Sequence, residues 1–378
     1  MHGKLSLALL LFFVGVLLGL TACYYTVLPP NAANAALTPA LAALWQTYQH
    51  TNIQDGRVVS WDEGGITTSE GQSYALLRSV ECNDPAMFDK VWQWTQTHLQ
   101  VRLDDNLFSW KWKDQVIGQD AATDADTDIA LALILASRRF SRPDYLKLAL
   151  PILESIWKHE IVAQGNDFYV TAGNWSVTQN YPVLHVGYFA PYAYSVFAEV
   201  DPSHPWKALI KSSYDALHWI YFEKRLALPP EVIYLDRQTG NFLLQLPGRD
   251  EAPVFSYDVF PIFWRVAVDE AWNRRGERRL RRAMLSFFQS EWKAKGKFLD
   301  RYSVDGHPAS QQEGMPLYAT LHSLATLDDP QLADQIFSHK LSFLRANARA
   351  GKDTPYYLAN WLWFDDAFEY GYIQRYGA

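Results

Sequence analysis

Ala122-Thr-Asp-Ala-Asp-Thr-Asp-Ile-Ala130 runs without a break into Leu131-Ala-Leu-Ile-Leu-Ala136 and closes at Phe140. Asp124, Asp126 and Asp128 alternate directly before a segment too apolar to face water, so carboxylates reach the edge of a core. Burying a carboxylate is costly unless something pairs with it or uses it. A helix-loop-helix calcium loop would need Gly at its sixth position and Glu at its twelfth, counted from Asp124. Ile129 and Leu135 hold those places, which excludes it. What remains is a carboxylate cluster at the mouth of a buried helix, suited to acid/base chemistry. Plain helix capping with a solvated acidic loop is the structural alternative.

The same helical spacing of apolar residues recurs on both sides of this segment. It predicts helices over 37–50, 70–82, 85–101, 127–141, 143–159, 189–199, 205–222, 258–272, 276–294, 315–327, 330–346 and 358–374. Ser69 before Glu70, Asp84-Pro85, Arg142-Pro143 and Asp329-Pro330 supply start signals. Asn166–Val170 and Glu231–Leu235 read as short strands or loops. The fold class is all-α. Helical hairpins that are apolar on one face can close into a ring, and six such pairs would make a double-layered helical toroid. No sequence repeat marks that closure. No linker or shift of composition follows residue 36, so 37–378 is expected to form one domain, after a segment 1–23 and a short linker 24–36.

Segment 1–23 has the layout of an export signal: Lys4, an uncharged apolar run from Leu5 to Leu20, then Leu20-Thr-Ala-Cys23. The ending resembles the bacterial lipoprotein box, in which Cys23 would be lipidated and become the N-terminus. An uncleaved membrane anchor, or cleavage within Asn31-Ala-Ala-Asn-Ala-Ala36, are the other readings. The run is slightly short for a span of about 20 residues. Each reading exports the remainder, to the periplasm or the outside, and two of the three attach it to a membrane. Cys23 and Cys82 are the only cysteines, so no disulfide framework holds the fold.

A net charge of −7 with no basic block argues against nucleic acid as a partner. Aromatic content is 15%, with 15 Trp and 21 Tyr. Rings fill large cores, but they also suit a carbohydrate groove, where apolar sugar faces stack and hydroxyls take hydrogen bonds. Composition does not choose between these.

Three further islands join the acidic one. In Thr67-Thr-Ser-Glu-Gly-Gln-Ser-Tyr74, Glu70 opens a helix; a Ser69 cap with an acidic first turn accounts for it structurally. Gly71 is odd there, because Gly weakens helices, and would be useful if a ligand came close. In Phe255-Ser-Tyr-Asp258 and Val259-Phe-Pro-Ile-Phe-Trp-Arg265, one Asp and one Arg sit in an apolar run, and lone buried charges need partners. The aromatic island comprises Trp110 and Trp112, Asn174-Trp175 and Gly187-Tyr188; core packing is its plain explanation.

Together these islands resemble glycoside hydrolase family 8. Ala122 to Phe140 looks like that family's signature, Thr68–Tyr74 like the segment around its general acid, and Tyr257-Asp258 with Trp264-Arg265 like the segment around its general base. Phe88-Asp, Trp94-Thr, Leu107-Phe-Ser-Trp110, Asn174-Trp175, Tyr188-Phe189 and Tyr356-Tyr357 follow in the family's order, so the likeness runs from about residue 40 to 375. It implies an (α/α)6 barrel and inverting hydrolysis of a β-linked polysaccharide such as cellulose, mixed β-glucan, xylan or chitosan. An endo-1,4-β-glucanase-like activity is the nearest expectation. Near Asp55-Gly-Arg57 and Thr67–Tyr74 the chain is similar to members tied to exopolysaccharide export, which would make that machinery a partner. The resemblance implies Glu70 as proton donor, Asp258 as base and Asp124 as the carboxylate holding the sugar at the cleavage subsite. Asp126 would assist, Trp110, Trp112, Trp175, Tyr188 and Tyr257 would bind substrate, and Arg265 would orient a carboxylate. It implies no metal and no cofactor. Two departures stand out: Pro261 where the family has Arg three residues after the base, and His185-Val-Gly-Tyr188 for the family's Asn-Pro-Ser-Tyr.

Two other classes compete. A polysaccharide-binding lipoprotein that has lost turnover is favoured by Pro261 and opposed by the joint presence of Glu70, Asp124 and Asp258. A uronic-acid lyase would want clustered Arg for an acidic polymer, which a chain of this charge does not offer.

Overall fold

Helices with no polar face need neighbours on every side, and several helices of this chain are of that kind. In the computed structural model, which describes residues 37–352 and 354–377, the helices in chain order are α1 (Pro39–Asn52), α2 (Ser69–Glu81), α3 (Pro85–His98), α4 (Thr123–Arg139), α5 (Asp144–Glu160), α6 (Pro191–Val200) and α7 (Trp206–His218). There follow α8 (Pro261–Asn273), α9 (Arg278–Lys295), α10 (Met315–Asp328), α11 (Pro330–Ile336), α12 (Ser342–Arg349) and α13 (Tyr356–Glu369). Residues 37–378 form one compact unit. The N-terminal segment, with the Leu5–Leu20 run and Cys23, lies outside the described residues.

Helices α2, α4, α6, α8, α10 and α13 are the apolar ones. Ten successive residues of α10, Pro316 to Ala325, are buried, and so is every residue of α4 from Thr123 to Ala136. These six pack in chain order into an inner ring, α2 on α4, α4 on α6, α6 on α8, α8 on α10 and α10 on α13. The ring closes between α13 and α2, where Arg78 donates to Asn360 at 3.0 Å and Tyr74 meets Trp361 edge-on. The more amphipathic helices α3, α5, α7 and α9 lie outside, with α1 against α13 and α11 against α10. This is the (α/α)6 double ring. Its axis is filled rather than open: Tyr74, Trp264, Trp361 and Phe364 touch one another across it.

Helix starts carry the expected chemistry. Asp84 accepts from the Met87 amide and Asp329 from that of Leu332, each with Pro at the next position. Some boundaries differ from those the periodicity predicts. Helix α2 is capped by Thr68, whose hydroxyl accepts from the Gly71 amide at 3.0 Å, so Ser69 is its first residue and not its cap. Helix α4 begins at Thr123 rather than 127. The outer run 330–346 is α11 and α12 joined by a π turn over Phe337–Leu341. Short strands stitch the loops at the ring's mouth. Thr67–Thr68 pairs with Lys111–Lys113, which pairs with Gln115–Gly118; Val183–His185 pairs with Val232–Leu235.

Candidate active site

The inner helices point their N-termini the same way, and their first residues line one open cleft of about 670 Å³. Ser69 and Glu70 come from α2, Ala122 and Asp124 from the start of α4, and Tyr188 from just before α6. Tyr257 and Asp258 precede α8, Met315 and Pro316 open α10, and Pro355 to Leu358 open α13. The β-ladder that pairs Thr68 with Lys111 delivers Glu70: the strand ends two residues before it, and the Ser69 amide still donates to the Trp110 carbonyl at 3.0 Å. Asn174 Oδ1 accepts from the Ala121 amide at 2.7 Å and so fixes the entry to α4 and Asp124.

Glu70 is held protonated to about 8, first by burial, then by the charge of Asp124, with Asp258 and Glu63 adding to the rise. The Tyr356 hydroxyl donates to Glu70 Oε1 and pulls the other way. A helix N-terminus favours the charged form as well, but burial beside another carboxylate outweighs it. Gly71 explains itself here: a methyl at that position would lie 3.2 Å from the Tyr356 ring and 3.3 Å from Val58, so the small residue admits the tyrosine, not a ligand.

Asp124 is also raised by burial, opposed by Arg265. Asp124 lines the cleft, while its Oδ1 is buried there with no hydrogen-bond partner among the described residues. Asp258 differs from both. Its side chain is 69% exposed to the cleft, although the protein walls still withdraw enough water to raise its carboxyl. His185 Nε2 lies 3.9 Å from Asp258 Oδ2. Burial pushes that imidazole down to about 3, so His185 is neutral and gives Asp258 no cation. It stacks on Tyr188 at 4.1 Å between ring centroids. Of the two departures from the family pattern, His185 lies beside this carboxylate and Pro261 follows it by three residues in the chain. Gly187 is needed there, since a methyl on it would come within 2.0 Å of the Asp258 carbonyl oxygen. Pro261 occupies a buried place in the first turn of α8.

Of the residues expected at the site, Glu70, Asp124, Asp258, Trp110, Tyr188 and Tyr257 line the cleft. Asp126, Trp112, Trp175 and Arg265 do not. Asp126 is wholly buried on the other side of α4, where its Oδ1 accepts from the Phe108 amide at 2.9 Å and Glu160 faces it. Trp112 packs edge-on against Trp94 and lies under the Arg57 guanidinium. Trp175 is a surface ring beside Gly173. Arg265 does orient a carboxylate, but that of Asp128, one helical turn below Asp124, at 2.7 and 3.1 Å. Tyr356 and Tyr357 join the site in their place. A Pro-Tyr-Tyr run opening an inner helix was the available signal for them. Among the described residues no group of three His, Cys, Asp or Glu side chains is placed to hold a metal ion.

The sequence model of glycosyl hydrolases family 8 matches residues 21–306. The chain belongs to that family. A probable endoglucanase of Novacetimonas hansenii is 29% identical over 229 residues, 59% of this chain and 66% of that one. An endoglucanase of Xanthomonas axonopodis pv. citri (strain 306) is 34% identical over 210 residues, 48% of this chain and 53% of its own. The chain thus spans between half and two thirds of these relatives' length. Among solved structures, an endo-beta-1,4-glucanase of Acetobacter xylinum superposes with a TM-score of 0.69 at 22% identity, covering 87% of this chain and 97% of that one. A beta-1,3-1,4-glucanase of Paenibacillus sp. X4 reaches 0.75 at 18% identity, covering 92% and 94%. At such identities the likeness concerns the fold, which is the same double ring.

Proposed function

We propose that this chain is an endo-acting glycoside hydrolase that cuts a β-1,4-glucan, cellulose-like or part of an exopolysaccharide, with inversion at the anomeric carbon. One observation carries the reading: a proton-holding Glu70 and a solvent-facing Asp258 share a cleft with Asp124. Inversion needs an acid for the leaving oxygen and a base for water on the other face of the sugar. Glu70 donates the proton to the glycosidic oxygen while Asp258 takes one from the attacking water. Asp124, at the cleft wall, grips a hydroxyl of the distorted sugar, and Trp110, Tyr188 and Tyr257 supply ring faces. The endoglucanase names of the relatives support a glucan over xylan or chitosan. NMR of the first products of a β-linked chain should give the α anomer. A β anomer would overturn Asp258 as a base acting through water. Pro261 favours a second reading, binding without turnover; hydrolysis lost on changing Glu70 alone would exclude it.

The N-terminal layout supports export with attachment through lipidated Cys23, which would place the enzyme beside the machinery that exports its polymer. Cys23→Ala should release the protein from membranes or block its maturation. Membrane attachment left unchanged by that substitution would rule out the lipid and point to an uncleaved helix.

A further inference from the structure

A second hollow, of about 520 Å³, lies against the catalytic cleft between the end of α1, the residues after α12 and the start of α13. The two share Asp62 and Pro355 as walls, so they adjoin. Its outer wall is Trp61, a ring left 53% exposed. An exposed indole adds nothing to a core, yet this one is fixed in place. Its Nε1 donates to the Thr51 carbonyl at 2.8 Å. The loop carrying it is braced on every side. Ser60 and Ile66 pair across its base, and the Arg57 guanidinium donates to the Gly65 carbonyl at 2.6 Å. Asp62 accepts from the Tyr356 amide at 3.3 Å, which ties the loop to the tyrosine on Glu70.

Thr47, Thr51 and Lys352 complete the rim of the hollow. A preoriented aromatic face ringed by hydroxyls, with one acidic and one basic group, fits a neutral polyhydroxylated ring better than an ion or a purely apolar ligand. We infer that the Trp61 hollow is an additional binding position for the β-glucan chain, holding sugar units that extend beyond the catalytic cleft. This rests on the β-glucan reading. The occupant follows from adjacency: a polymer that passes over Asp62 and Pro355 on leaving the cleft meets the exposed Trp61 ring next.

The test compares the full chain with Trp61→Ala and Trp61→Phe on cellotetraose and cello-octaose, by turnover and by binding titration. Trp61→Ala should lower kcat/KM and affinity for the octaose by about tenfold, the usual size of a truncated aromatic anchor. It should leave the tetraose unchanged, and Trp61→Phe should restore most of the loss. An equal loss on both lengths, or none on either, overturns the inference and leaves the β-glucan reading standing. A wild-type chain that neither cuts nor binds either oligosaccharide overturns both.

Discussion

Glu70→Gln and Asp258→Asn should each lower turnover by about 10²–10⁴-fold while leaving the fold intact, since each swap removes an ionisable oxygen and little else. Their losses should differ in kind. Without Glu70, a substrate whose leaving group is already acidic, such as a nitrophenyl glycoside, should be spared most of the loss. Without Asp258, all substrates should suffer alike, because every one of them needs the water activated. Equal behaviour of the two variants across leaving groups would remove the assignment of acid and base.

The pH profile follows from the same environment. The donor must hold its proton, so activity should fall as pH rises through about 8, the value to which burial and Asp124 lift Glu70. The base must be ionised, and its raised carboxyl sets the acid limb above the ordinary Asp value. Glu70 and Asp124 titrate as an interacting pair, so the alkaline limb belongs to both. Stability gives an independent check. A carboxyl whose folded pKa lies above its unfolded one destabilises the fold as pH rises through that interval. Glu70→Gln should therefore be more stable than wild type at pH 9, and the advantage should vanish below about pH 4.5, where both forms are neutral. A variant no more stable at pH 9 would mean that Glu70 is not held as an acid. The group proposed as proton donor would thus weaken the fold under alkaline conditions.

The features that identify the site lie in local sequence, and those that misplace residues lie in how the chain turns. Glu70, Asp124 and Asp258 could be read because each sits in a short motif at a helix start, and the ring sends all those starts to one mouth. Asp126 could not be separated from Asp124 while the helix was expected to begin at residue 127. With the helix starting at Thr123, residues two apart lie about 200° apart round its axis, so Asp126 must face the outer layer. Asp128, four residues on, returns to the face of Asp124 and meets Arg265. Trp110 and Trp112 fail in the reverse sense. A regular strand would put both on one face, but the ladder shifts register between Lys111 and Trp112, and such a bulge re-aims the next side chain. Trp112 turns into the aromatic cluster while Trp110 stays on the cleft. Helix phase and strand bulges depend on partners distant in sequence, which local spacing does not contain.

Arg265→Met should destabilise the protein by about 3–5 kcal/mol, the cost of leaving a buried carboxylate without its partner. The pair is sealed: the side chains of Arg265 and Asp128 are 2% and 3% exposed, and Tyr192 Oη accepts from the same guanidinium at 3.0 Å. The three groups come from α8, α4 and α6, so the contact fastens three successive staves of the inner ring. Chemical denaturation measures the loss, and a drop below about 1 kcal/mol would show that water reaches Asp128. The double variant Arg265→Met with Asp128→Leu should recover much of the stability, because an apolar pair of similar volume removes the unpaired charge. It should not recover activity. Arg265 is the main influence holding the Asp124 carboxyl down against burial, and Asp128, removed with it, is a smaller one pushing it up, so the net change lets Asp124 take up a proton more readily and weakens its grip as an anion on the sugar hydroxyl. A folded double variant with full turnover would separate Arg265 from the site. A folded one with impaired turnover would place the barrel's buried ion pair beneath the chemistry at its mouth, acting through the charge of Asp124.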